Sequence, residues 1–148
     1  MADTQVQYHD VEGWIRTEWM PGRYGQSFER RDVTLTPGGK HNFAAVSSDG
    51  RIIAKISTGT ATTEGGKFAS GKAMKIRADM LFLTMVDADK KLVILTQQDM
   101  YDWCVRESSA GRVPLDIEFA KATIPPDLQE RLDAARRASS REVTPRPI

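Results

Sequence analysis

The sequence predicts a single α/β (α+β) domain in which a mixed β-sheet is flanked by helices. Three observations predict it. Two alternating runs meet at Ser48-Asp49-Gly50, the signature of an antiparallel hairpin. A helical pattern then leads into the apolar run Met80–Val86, which reads as a buried strand. Beyond it, strand-like and helix-like segments alternate to the end of the chain.

The elements follow in order. Residues 1–9 are polar and read as a flexible N-terminus. Val11, Trp14, Ile15, Glu18 and Trp19 fit a short helix that Asp10 caps and Pro21-Gly22 ends. Arg31–Thr36, His41–Ser47 and Arg51–Ser57 read as three strands, separated by Pro37-Gly38-Gly39 and by the Asp-Gly turn. A Thr/Gly-rich loop, 58–66, precedes a helix over 67–78. The apolar run Met80–Val86 is followed by a turn and a strand over Lys91–Leu95. Thr96 opens a helix, with Asp99 placed as in a capping box and Met100, Trp103 and Cys104 facing inward. Leu115, Ile117 and Phe119 alternate as an edge strand. Pro125-Pro126 starts a last helix with Leu128, Leu132 and Ala135 on its apolar face. Residues 139–148 read as a flexible tail, leaving 10–138 as the domain. The expected order is α-β-β-β-α-β-β-α-β-α.

Composition narrows the function classes. The chain has 148 residues, 40% hydrophobic and 28% charged, enough for one core without staples. A net charge of +1 gives no global attraction to polyanions, so a nucleic-acid surface has to be a local patch. One cysteine, Cys104, excludes an internal disulfide framework and a cysteine-based zinc site. The first ten residues lack the apolar core of a signal peptide, and Met80–Val86 is too short for a bilayer. A cytoplasmic location without a membrane partner is the expectation.

Several constellations carry chemistry. Lys67, Lys72 and Lys75 share roughly a 140° arc of their helix, with Arg77 nearby. They read either as a solvated helix face or as a phosphate-binding surface at a helix start. Gly66–Ala73 is one residue short of a P-loop, with Ala73 where the magnesium-binding hydroxyl belongs, and no strand runs straight into it. His9 and His41 lie far apart and read as surface or turn residues. Cys104, on an apolar helical stripe, reads as a buried inert thiol. Trp14, Trp19, Tyr24 and Phe28 are interleaved with Arg16, Arg23, Arg30 and Arg31. Such a cluster serves core packing, a protein partner or nucleic acid. At the C-terminus, Arg131, Arg136, Arg137, Arg141 and Arg146 suit a helix dipole or phosphate, while Leu128, Leu132 and Ala135 offer a face for a homodimer.

A helix, three strands, a helix and a buried strand over residues 11–95 resemble the core of the restriction-endonuclease-like, PD-(D/E)XK fold. Gly25-Gln26-Ser27-Phe28-Glu29 is similar to the Gly-x-x-Phe-Glu segment near the first helix of such nucleases. The His41–Ser47 strand resembles the one that carries their metal-binding Asp, and Ile53-Ala54-Lys55 resembles Glu-x-Lys. On this match Ala44 and Ile53 stand where the acids are expected, and Lys55 alone survives. The resemblance implies a nucleic-acid-binding domain of nuclease-like fold without an intact catalytic site and without a cofactor. Lys55, Lys67, Lys72, Lys75 and Arg77 are its expected phosphate contacts, presented to a common groove. Two other classes stay open. One is a protein-interaction or structural homo-oligomeric module. The other is a magnesium-dependent nuclease in which Glu29 and Asp49 supply oxygens beside Lys55.

Overall fold

A computed structural model describes residues 4–143, with side-chain surroundings from 8 to 138. The sheet is mixed and five-stranded, in the spatial order β1-β2-β3-β4-β5. Its strands are β1 (Phe28–Thr34), β2 (Lys40–Ser47), β3 (Ile52–Ser57), β4 (Lys90–Leu95) and β5 (Ile117–Lys121). The first three run antiparallel to one another, whereas β3, β4 and β5 are parallel. Parallel neighbours need crossovers, and these are α3 (Ser70–Thr84) and α4 (Gln98–Ser109). The chain opens with α1 (Thr4–Trp14), a π-helical turn (Ile15–Trp19) and α2 (Met20–Tyr24), and ends with α5 (Pro126–Val143).

The sheet divides two apolar layers. On one side Val11, Ile15 and Met20 pack with Leu128 and Leu132 over Ala45, Ala54, Leu92 and Ile94. On the other, Ile76, Met80 and Leu83 pack with Met100 and Cys104 over Phe43, Ile53, Val93 and Leu95. Successive β4 residues therefore go to opposite layers, and Leu92 to Leu95 are all at most 1% exposed.

The mixed sheet flanked by helices is the fold class the sequence predicts, with one strand fewer. Met80–Val86 is not a strand: through Thr84 it is the second half of α3. An apolar run of this length has no distinguishing period, and Met80 and Leu83 reach the core equally well at helical spacing. Residues 4–9, expected to be loose, are helical, and the tail expected over 139–148 is helical through Val143. Residues 1–3 and 144–148, Arg146 among them, lie outside the described residues. Pro21-Gly22 does not end the first helix, which continues to Gly25 at φ 72°. The π-helical turn explains this. Met20 N–H bonds to Ile15 O, five residues back, which opens the spacing where the ring of Pro21 would meet an α-helical carbonyl.

Smaller expectations also change. Thr96 is buried at the end of β4, and its N–H bonds Ser57 O. Asp99 makes no capping box. Its carboxylate accepts from Ala61 N–H at 3.1 Å and from the Thr62 hydroxyl at 3.0 Å, which ties down the loop before α3. Leu128, Leu132 and Ala135 are buried within this chain, so that face of α5 is not open to a second subunit. Leu115 lies before β5 and is fully exposed. Among the described residues, no helix is long and apolar enough to cross a membrane.

The double-sided burial of β4 yields a prediction. Leu92→Ala should cost about 2–5 kcal/mol, measured by urea denaturation. A loss within a few tenths of a kcal/mol would show that β4 is not the packed centre of the sheet.

Candidate functional site

The hairpin sets the site. Ser47 Oγ donates to Asp49 Oδ1 at 2.6 Å and accepts from Ile52 N–H at 2.9 Å. Asp49 also accepts from Arg51 N–H, and Gly50 takes the positive φ the turn requires. The register pairs Ala45 with Ala54 and Val46 with Ile53. Opposite β1, two steps from Glu29 to Arg31 match three from Val46 to Phe43, so β2 carries an extra residue at Ala44-Ala45. The bulge brings Phe43 and Val46 to the α3 side and leaves Ala45 on the other. Arg16, in the π-helical turn, donates to Ala44 O at 3.0 Å.

Lys55 projects from β3 on the α3 side and enters an aromatic recess. Its ammonium lies 2.6 Å from His41 Nε2, 5.0 Å from the Phe43 ring centre and 5.9 Å from that of Phe82. His41 stacks on Phe82 with centroids 3.8 Å apart and meets Phe43 edge-on at 5.0 Å. Asp79, on α3 and buried, places its carboxylate 3.8 Å from Lys55 Nζ and 3.9 Å from Lys75 Nζ. Both distances are ion pairs too long for a hydrogen bond.

Burial governs the protonation of all three. Desolvation lowers Lys55, against the pull of Asp79. Desolvation raises Asp79, against the neighbouring Lys75 and Lys55. Desolvation first and Lys55 second lower His41. The contact fits an ammonium donating to a neutral imidazole whose Nε2 lone pair is free. With His41 neutral, two ammonium groups face the one buried carboxylate, Asp79, while Arg30 and Glu12 act on Lys55 and Asp32 on His41 from β1 and the first helix.

The other residues picked out by sequence are distributed around this cluster. Glu29 is exposed and pairs with Arg31 at 3.4 Å. Asp49 is bound into the turn, where hydrogen bonds from Ser47 and Arg51 N–H hold its carboxyl below the usual range. Both sit at the turn end of the hairpin, while Lys55 Nζ reaches His41 and Asn42 O at the other. Lys75 joins Lys55 through Asp79. Lys72 runs its stem over Gly59, whose missing Cβ would lie 3.0 Å from Lys72 Cδ. Desolvation and Arg136 lower the Lys72 amine. Lys67 is exposed in the turn before α3. Arg77 lies on a different flank, over the Trp103 ring at 5.3 Å and paired with Glu107. Five cations expected in one groove thus separate, and Lys55 and Lys75 are the two that meet.

Trp19, Tyr24 and Phe28 form an edge-on chain at 6.3 and 6.1 Å against the core, so those aromatics pack inward. The arginines among them brace the structure: Arg16 and Arg30 bind Glu12, and Arg31 binds Ser47 O. Cys104 is fully buried, and desolvation pushes its thiol up to about 12, as an inert core cysteine requires. Residues 58–69 separate β3 from α3, so Gly66–Ala73 lacks the strand-to-helix turn of a P-loop.

His41 and Asp79 are site residues that the sequence reading missed. Two signals were present. His41 and Phe43 share a strand face by period two, and Asp79 follows Lys75 by one helical turn. Neither signal says that the two faces meet at Lys55. The donor set does not suit magnesium, since the one ion-pair partner of Lys55 among the described residues, Asp79, already serves two amines. Among the described residues, no group of three or more His, Cys, Asp or Glu is placed to hold a metal ion.

No family model, no curated protein and no solved structure matches this chain.

The cluster predicts a coupled titration. Replacing Lys55 by Met removes a neighbouring positive charge, so the His41 imidazole should titrate at higher pH than in the parent, as followed by NMR. The parent itself should lose stability as pH falls below 6.5, the ordinary histidine value, because the folded state binds the proton less well than the unfolded chain. An unchanged His41 titration in Lys55→Met would refute the contact.

Proposed function

We propose that this domain binds nucleic acid through a phosphate-contacting surface centred on Lys55 and Lys75, and that it is a nuclease-like fold without metal-dependent cleavage. The observation that carries the proposal is that two ammonium groups share one buried carboxylate beside the bulge of β2, which leaves the second of them turned to solvent. There Lys55 and Lys75 flank a single buried carboxylate, Asp79. Asp79 divides its charge between two amines at 3.8 and 3.9 Å, so the exposed Lys75 ammonium stays available to an anionic group.

Further support comes from the order of elements. Helix, three strands, helix and strand persists with β4 as the buried strand in place of Met80–Val86. On the nuclease resemblance, Ala44 stands at the β2 bulge and Ile53 in β3 where acids are expected, and neither side chain binds a metal. Lys72 extends the positive flank toward Arg136, while Lys75 is 74% exposed at its side chain and free to reach solvent. Phosphate contacts of this kind give affinity without base readout.

Counterion release sets the test. Fluorescence anisotropy with labelled single- and double-stranded oligonucleotides should show affinity that falls steeply between about 50 and 200 mM salt. Combined Lys72→Glu and Lys75→Glu should abolish binding while circular dichroism stays unchanged. No binding at low salt, or binding that survives the double substitution, would overturn the proposal.

A further inference from the structure

His41 and Lys55 can both be charged only if they part. Their nitrogens lie 2.6 Å apart, and the contact needs the imidazole Nε2 lone pair as acceptor. A proton on that nitrogen removes the acceptor and sets two cations against each other at hydrogen-bond distance. The pair therefore has a second arrangement below the pH at which His41 takes up its proton.

The surroundings decide which side chain moves. The His41 ring is wedged in place. It lies flat on Phe82, 3.8 Å away and 3° from parallel, and meets Phe43 edge-on at 5.0 Å. Lys55 reaches the same spot on a flexible four-carbon stem. Its short hydrogen bond is the one to His41, whereas Asn42 O lies at 3.5 Å and Asp79 at 3.8 Å. Once His41 no longer accepts, little holds the ammonium inside. Lys75, on the same carboxylate with its side chain 74% exposed, shows how close solvent is.

We infer that this contact is a latch worked by a proton: when His41 takes one up, the Lys55 ammonium leaves the aromatic recess and joins Lys75 at the surface as a further phosphate contact. The phosphate role rests on the nucleic-acid reading, but the movement of Lys55 does not.

The charged groups on every neighbouring element fit such a latch. Asp79, on α3, attracts an imidazolium as it attracts the ammonium, so the buried carboxylate keeps a cation when Lys55 leaves. Lys75, on the same helix, repels Lys55. From β1, Asp32 pulls on His41 while bound by the Asn42 amide at 2.9 Å. Arg30 repels Lys55 and Glu12, on α1, attracts it, and these two are paired with each other. Desolvation and Lys55 hold the His41 proton affinity below the ordinary value. The latch is therefore shut at neutral pH and opens below 6.5.

Ring currents report the latch without any ligand. Lys55 Nζ lies over the Phe43 and Phe82 rings. In the full chain labelled with carbon-13 lysine, the Lys55 ε-methylene signal should sit upfield of those of exposed lysines above pH 6.5. It should move to their position as His41 titrates, and Lys55→Met assigns it by deletion. In anisotropy titrations with duplex DNA, opening adds one phosphate contact, so the slope of log affinity against log salt should steepen by about 0.9 at the lower pH. His41→Phe keeps a ring on Phe82 but takes no proton, and should lose the steepening. His9→Gln, at an exposed position, should keep it. A Lys55 signal that stays upfield while His41 titrates overturns the latch, whether or not DNA binds. A signal that moves without any change in salt slope overturns the phosphate role alone. Absence of binding at both pH values sinks the nucleic-acid reading and the phosphate role with it, and the Lys55 signal still decides the latch.

Discussion

The structure depends on burying β4 on both faces. A strand whose side chains enter two apolar layers in alternation cannot sit at a solvent-facing sheet surface. It needs helices above and below, and its parallel pairing with β3 and β5 needs crossovers long enough to supply them. α3 and α4 meet that need on one side. The first helix and α5, drawn from opposite ends of the chain, cover the other. Arg131 and Asp10 form an ion pair across that same contact between the termini.

The Lys55 cluster is the cost and the consequence of this layering. α3 must cross the sheet to reach β4, and its path lays Asp79 and Phe82 over the start of β2. Lys55, on the same side of β3, is then enclosed beside a carboxylate and an imidazole. Burying an ammonium group is unfavourable unless a partner compensates. Asp79 at ion-pair distance, His41 as acceptor and two aromatic faces are the compensation. Glu107 is a comparison within the same molecule. It too is buried, but Arg112 binds it with two hydrogen bonds and Arg77 with a third. Those bonds hold its carboxyl low, whereas Asp79, with longer pairs, is pushed up. The difference between the two buried carboxylates lies in that geometry.

The run Met80–Val86, apolar except for Thr84, resembles a buried strand in sequence. In the folded chain that run is helical through Thr84, with Met80 and Leu83 buried and Leu81 facing water.

Much of the fold was legible in the sequence because it is local. The Asp-Gly turn needs a positive φ and short-range hydrogen bonds, and Ser47, Asp49 and Gly50 carry both. Alternation along β2, β3 and β4, the stripe of α4 and the proline start of α5 are likewise properties of neighbours in sequence. What only tertiary structure decided is whatever depends on segments far apart in the chain. The choice between strand and helix for Met80–Val86 was made by the core it packs into. Residues 41, 55 and 79 became one cluster because strand register and the α3 crossover superimpose them. The division of five cations among separate flanks follows from the same crossover. A sequence states the charge and period of each segment, but the direction a side chain faces is set by the surface that buries its neighbours.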